Sequence, residues 1–101
     1  MSEVVKGLVN DGKLVVELIG RVDTSNAAGV GDEIKELIAG NEALPLVLDL
    51  DKLDYISSAG LRVLLMLKQM NDAIKLVKVS DEIYDIFDIT GFADIFDIER
   101  K

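Results

Sequence analysis

The sequence contains no cysteine and no histidine. The first absence excludes disulfides, thiolate nucleophiles and cysteine-ligated metals. The second removes the commonest general base and the commonest metal ligand. With it goes the usual serine-hydrolase triad, however the serines are arranged. Basic charge is scarce: 11 Lys and Arg stand against 19 Asp and Glu, for a net charge of −8. The basic residues are scattered, with no more than two together (Arg100-Lys101), so no patch is present that would hold a phosphate backbone, and nucleic acid is not an expected partner. Long apolar runs are lacking as well. The longest aliphatic stretches, such as Val63–Leu67, fall far short of the roughly 20 residues needed to span a bilayer, so no membrane insertion is expected. The opening Met1-Ser2-Glu3-Val4-Val5-Lys6 has no basic segment followed by an apolar stretch, so no secretory signal is expected. These absences leave a cytoplasmic binding protein, with no metal and no cofactor, as the expectation.

What is present is a folded chain. Half of the 101 residues are hydrophobic and the mean hydropathy is +0.29. That length suits one domain over residues 1–101 and one core. No low-complexity linker and no long internal repeat interrupts it.

Val4–Val9 and Leu14–Ile19 are short aliphatic runs separated by Asn10-Asp11-Gly12, which reads as a hairpin. Gly20–Ser25 reads as a loop, and Asp23, Thr24 and Ser25 are all good helix N-caps. Ala27, Val30, Ile34, Leu37 and Ile38 recur at helical spacing up to Gly40-Asn41. Leu46–Leu50 follows Pro45 and is apolar on both faces, as expected for a strand buried between layers. A helix is expected from Leu61 to about Asn71, and a strand over Ile74–Val79. Ser80-Asp81-Glu82 opens a further helix with Ile83, Ile86, Phe87 and Ile89 as its apolar stripe. Thr90-Gly91 stops it, and Ile95–Ile98 reads as a last strand. The order β-β-α-β-α-β-α-β implies an α/β fold, a mixed and mostly parallel sheet packed with helices.

The junction from Leu46 to Leu67 carries the most chemistry. A strand runs into a short loop that ends in Ser57-Ser58-Ala59-Gly60 at a helix start. Helix N-termini favour anions, and a phosphate on Ser58 would gain roughly 0.3–1 kcal/mol from the helix dipole. Gly60 would let a partner or phosphate approach the backbone closely. Serines at helix starts are ordinarily plain N-caps, and that reading stands beside the functional one. Asp49, Asp51 and Asp54 form an acidic cluster on a strand and loop, where solvated carboxylates are the simpler reading than a metal site. In the helix, Leu61, Leu64 and Leu65 form one apolar stripe and Val63, Leu67 and Met70 another, with Met66 between. Either neighbouring helices cover the second stripe or part of it is a docking surface. Arg62 and Lys68 are the cations best placed to meet an acidic partner.

Val47-Leu48-Asp49-Leu50, followed after a short spacer by Tyr55-Ile56-Ser57-Ser58-Ala59-Gly60-Leu61-Arg62-Val63-Leu64-Leu65, closely resembles the signature of STAS domains, the anti-sigma factor antagonists. Gly20-Arg21-Val22-Asp23 is similar to the family's Gly-x-Leu/Val-Asp loop, and Ile86-Phe87, Gly91-Phe92 and Phe96-Asp97-Ile98 extend the resemblance over the whole chain. The resemblance implies a single STAS-like domain that is not an enzyme. It implies a phosphoacceptor two positions before the glycine, Ser58, with Ser57 as the alternative. Ser57 stands where many members carry aspartate, and Ala59 replaces a second hydroxyl. Asp23 matches the loop aspartate beside the acceptor. The implied partner surface comprises Asp23, Thr24, Ser57, Ser58, Ala59, Gly60, Leu61, Arg62 and Met66. By the same resemblance, the partners are an anti-sigma factor that is also an ATP-dependent serine kinase, and a serine/threonine phosphatase that restores binding. A different expectation is a constitutive docking subunit of a transporter or sensory complex, never phosphorylated. An enzyme with a serine nucleophile lacks a Gly-x-Ser-x-Gly element and any activating histidine. A two-component receiver would need a longer chain and paired acids after its first strand.

Overall fold

A computed structural model describes residues 4–101. Strands β1 (Val5–Asn10) and β2 (Lys13–Leu18) form the expected hairpin, with Asn10 opposite Lys13. Its two turn residues, Asp11 and Gly12, both have positive φ (53° and 73°), the left-handed turn that matches strand twist. Downstream come β3 (Gly20–Val22), α1 (Ala27–Ala39), β4 (Leu46–Asp49), β5 (Leu53–Ile56), α2 (Ser58–Met70), β6 (Lys75–Val79), α3 (Asp81–Ile89), a 3₁₀ turn (Phe92–Asp94) and β7 (Asp97–Arg100). The main sheet has the order β1-β2-β4-β6-β7. Only the β1–β2 pair is antiparallel, so the mixed, mostly parallel α/β architecture matches the expectation.

From β2 onward each crossover steps in the same direction across the sheet. Parallel crossovers are right-handed, so α1, α2 and α3 all lie on one face. The strands record this. Leu14, Val16, Leu18, Leu46, Leu48 and Leu76 are 0–2% exposed, whereas Val15, Val47 and Val77, on the other face, are half-buried. β4 was expected between two layers; it alternates instead, because helices cover only one side of it. Against that face pack Val30, Ile34 and Ile38 of α1, Leu61, Leu64 and Leu67 of α2, and Ile83 and Phe87 of α3. Gly7 of β1 leaves room for α1: a Cβ there would stand 2.6 Å from a Leu37 methyl.

Two segments expected as loops hold short strands. β3 and β5 pair in parallel as a separate two-stranded sheet, with Val22 opposite Ile56. The last strand begins two residues later than expected because Phe96 joins an aromatic stack, 5.7 Å from Phe92, which lies 6.3 Å from Phe87. Ile89, assigned to the apolar stripe of α3, is 85% exposed.

Candidate functional site

α2 starts three residues earlier than its apolar pattern indicates, because Ser57 caps it. Ser57 is in extended conformation (φ −90°, ψ 175°) and its Oγ accepts the Gly60 N–H at 3.3 Å. Its own N–H donates to Val22 O at 2.9 Å, and its carbonyl accepts the Leu61 N–H at 2.9 Å. All three polar groups of Ser57 are therefore engaged, and the residue is only 9% exposed. Ser58, the first residue of α2, is exposed, and no hydrogen bond holds its hydroxyl among the described residues.

The parallel register that sets Val22 opposite Ile56 places Asp23 beside Ser57. The Asp23 loop is stapled from within. Oδ1 of Asp23 accepts both the Ser25 N–H (3.0 Å) and the Ser25 hydroxyl (2.6 Å). The Asp23 N–H donates to Asn26 Oδ1 at 2.8 Å, and Asn26 Nδ2 donates to Arg21 O at 2.9 Å. The Ser25 hydroxyl above all, then the Ser25 and Asn26 backbone bonds and the Arg21 charge, hold the Asp23 carboxyl below its usual range, against desolvation that pushes it up. Asn26 occupies the N-cap position of α1 without capping through its side chain. Asp23, Thr24 and Ser25, expected as caps, instead form the turn before it, in which the Asp23 carbonyl accepts the Asn26 and Ala27 N–H groups. Thr24 is exposed. Arg21, opposite Tyr55 in the small sheet, lays its guanidinium 4.4 Å from the ring centroid and 3.7 Å from Asp23 Oδ2. Sequence reasoning missed Arg21, Tyr55, Ser25 and Asn26 as site residues; the run Asp23-Thr24-Ser25-Asn26 is the signal of such a self-bonded turn.

The remaining expected site residues divide by burial. Gly60 is buried, and a Cβ on it would stand 2.6 Å from Ile56 Cγ1 and 2.9 Å from Val22 Cγ1. Glycine is thus required by packing of α2 onto the small sheet, on its inward side, and not by an approach from outside. Leu61, 7% exposed, belongs to the core, so neither it nor Gly60 presents a side chain to a partner. Ala59 is half-buried and Arg62 exposed. Met66 is half-buried against α1, its methyl 3.6 Å from where a Cβ of Gly31 would lie, and Val63 packs there too. A neighbouring helix therefore covers much of the second apolar stripe, and Met70 stays 48% exposed. The acidic trio is engaged separately: Asp49 Oδ2 lies 3.6 Å from Lys78, Asp51 Oδ1 lies 3.2 Å from Lys101, and Asp54 is exposed. No group of three or more Asp or Glu that could hold a metal occurs among the described residues. Nor is any helix among them long and apolar enough to cross a membrane.

The sequence profile of the STAS domain matches residues 5–101. The chain is 38% identical to BtrV of Bordetella bronchiseptica, a candidate anti-sigma factor antagonist by name, over 90% of this chain and 81% of that one. The solved anti-sigma factor antagonist from Mycobacterium paratuberculosis has a TM-score of 0.85 at 22% identity, covering 96% of this chain and 85% of that one. SpoIIAA, a cell fate determinant of Bacillus solved in its phosphorylated form, has a TM-score of 0.66 at 17% identity, covering 93% and 89% of the two chains.

Proposed function

The chain belongs to the STAS domain family, and from that premise we propose that it is an anti-sigma factor antagonist switched off by phosphorylation of Ser58. The unmodified protein binds an anti-sigma factor that is also an ATP-dependent serine kinase. The kinase transfers the γ-phosphoryl group of ATP to Ser58 Oγ. The bond to ADP breaks, ADP leaves, and the hydroxyl proton passes to a base on the kinase. The complex then separates until a serine/threonine phosphatase hydrolyses the ester. The chain is substrate and ligand in this cycle; its own residues bind and orient.

The observation that carries this reading is the contrast between two adjacent serines. Ser57 is buried and spends its hydroxyl on the Gly60 N–H, whereas Ser58 is exposed with its hydroxyl free. The proposed partner surface takes in exposed Thr24 and Arg62 together with the Asp23 loop. A phosphate adds about −1.5 to −2 charges at pH 7. Placed inside a contact face, it costs several kcal/mol through desolvation and repulsion, and each ~1.4 kcal/mol is tenfold in affinity. The test is intact mass spectrometry with site mapping after incubation with the host's anti-sigma kinase and ATP, beside binding measurements on the Ser58 variants. Single modification at Ser58 and loss of binding support the reading. Stable binding to a transporter or sensory complex that ATP leaves unchanged would replace it with constitutive docking.

A further inference from the structure

We propose that Arg62 is the positioning residue for a phosphate on Ser58, its guanidinium folding back one helical turn to hold the phosphoryl oxygens. The inference rests on the reading of Ser58 as the acceptor. Ser58 opens α2 and Arg62 lies four residues on, so the two share one face of the helix. Helical side chains lean toward the N-terminus. An arginine at position 62 can therefore reach back over the turn that begins at Ser58, toward the place a phosphate would occupy. Both residues are exposed.

Arg62 is also the arginine with nothing else to hold. Arg21 is engaged by Asp23 and the Tyr55 ring, and Arg100 by Asp81 at 2.8 Å and the Tyr84 ring at 4.0 Å. Lys68, farther along α2, is paired with Asp72 and lies over Phe96. Among the described residues Arg62 makes no ion pair and no ring contact. A guanidinium offers a planar fork that matches two phosphate oxygens, which an ammonium does not.

The pairing changes what modification does to the docking face. In the unmodified protein Arg62 is a free cation beside a free hydroxyl, suited to an acidic group of a partner. In the phosphorylated protein that cation is drawn into an internal pair while negative charge is added next to it. One modification thus reverses the sign of the face, with no refolding. Arg62 takes no part in making or breaking the phosphate ester.

The test needs neither kinase nor partner. Phosphoserine is installed at position 58 during translation, and its second ionisation is followed by ³¹P NMR against pH at low salt, in the otherwise native chain and with R62Q. The other charged groups of the small sheet, its loop and α1 (Arg21, Asp23, Asp54, Asp32, Glu33 and Lys35) are common to both proteins and cancel. The pairing predicts an ionisation about 0.3 unit or more lower in the native chain than in the R62Q variant. The gap should shrink at about 1 M salt, and R62K should recover part of it. Coincident titrations, or a gap that salt does not touch, overturn the proposal. Mapping of the kinase's phosphate to another residue would instead overturn the reading of Ser58, and the two failures remain distinct.

Discussion

Replacing Ser57 by alanine separates the capping serine from the proposed acceptor, Ser58. The substitution removes the Oγ that accepts the Gly60 N–H and leaves that N–H facing a buried region. Loss of an N-cap side chain costs about 0.5–2 kcal/mol. The 3.3 Å bond is long, which argues for the lower half of that range. Burial argues the other way, because a buried unsatisfied donor carries a penalty of roughly 1–3 kcal/mol. The two together give about 1–1.5 kcal/mol, or about 1 M in urea midpoint for a small domain with an m-value near ~1–1.5 kcal/mol/M. Ser58→Ala removes an exposed, unbonded hydroxyl and should change stability by less than about 0.5 kcal/mol. Parallel urea titrations followed by far-UV circular dichroism read both values, and phosphate incorporation by the cognate kinase is measured on the same proteins. The expected outcome is a crossed pattern: S57A destabilised but still phosphorylated, S58A stable but unmodified. A folded S57A that takes no phosphate, or an S58A that is the less stable of the two, refutes the assignment of roles.

Further expectations concern the frame and the switch. Gly60→Ala places a methyl 2.6 Å from Ile56 Cγ1, and overpacking of about 1–3 kcal/mol should exceed the ~1 kcal/mol gained in helix propensity, lowering the urea midpoint. Gly91→Ala forces a side chain onto a residue with φ 82° and should cost about 1 kcal/mol by the same assay. The Asp23 carboxyl is held below its ordinary value, chiefly by the Ser25 hydroxyl. Its contribution to stability is therefore complete above the unfolded value and lost as pH falls through the folded one. Ser25→Ala should raise the Asp23 ionisation toward the ordinary value in a carboxyl ¹³C NMR titration, and Asp23→Asn should flatten the acid limb of the stability curve. Ser58→Asp should weaken partner binding at least tenfold by calorimetry while Ser58→Ala retains it.

The elements legible in the sequence are those whose signals are local. Asp11-Gly12 announces its turn because both residues adopt positive φ, and Ser80 announces α3 because its Oγ accepts the Ile83 N–H at 3.3 Å. β3 and β5 were not legible. Each spans three or four residues, too few for period-two alternation to register, and they are stabilised by pairing across about 30 residues of chain. The start of α2 was hidden for a related reason. Ser58 and Gly60 have weak helix propensity, and what makes this turn helical is the Ser57 cap together with packing of Gly60 against Val22 and Ile56, a tertiary contact. The same contact explains the misreading of Gly60: a glycine needed for inward packing and one needed for outward approach look alike in a sequence. The acceptor candidates stand in the sequence as a pair of serines, and choosing between them needs burial, which only the fold supplies.

Rigidity around Ser58 has a consequence for how a charge there can act. Ser57 is pinned by three hydrogen bonds, one of them to β3, and Gly60 is wedged against β3 and β5. The neighbouring loop is held by Asp23, Ser25 and Asn26 among themselves. Melting the first turn of α2 to relieve repulsion between a phosphate on Ser58 and a partner would break the cap and uncover the small sheet. The turn also has little reason to melt, because a negative group at a helix N-terminus is locally favourable by roughly 0.3–1 kcal/mol. A chain phosphorylated at Ser58 is thus expected to stay folded, with the electrostatic cost falling on the proposed complex. Such a switch is reversible by hydrolysis alone, and its two states differ in surface charge where they agree in backbone.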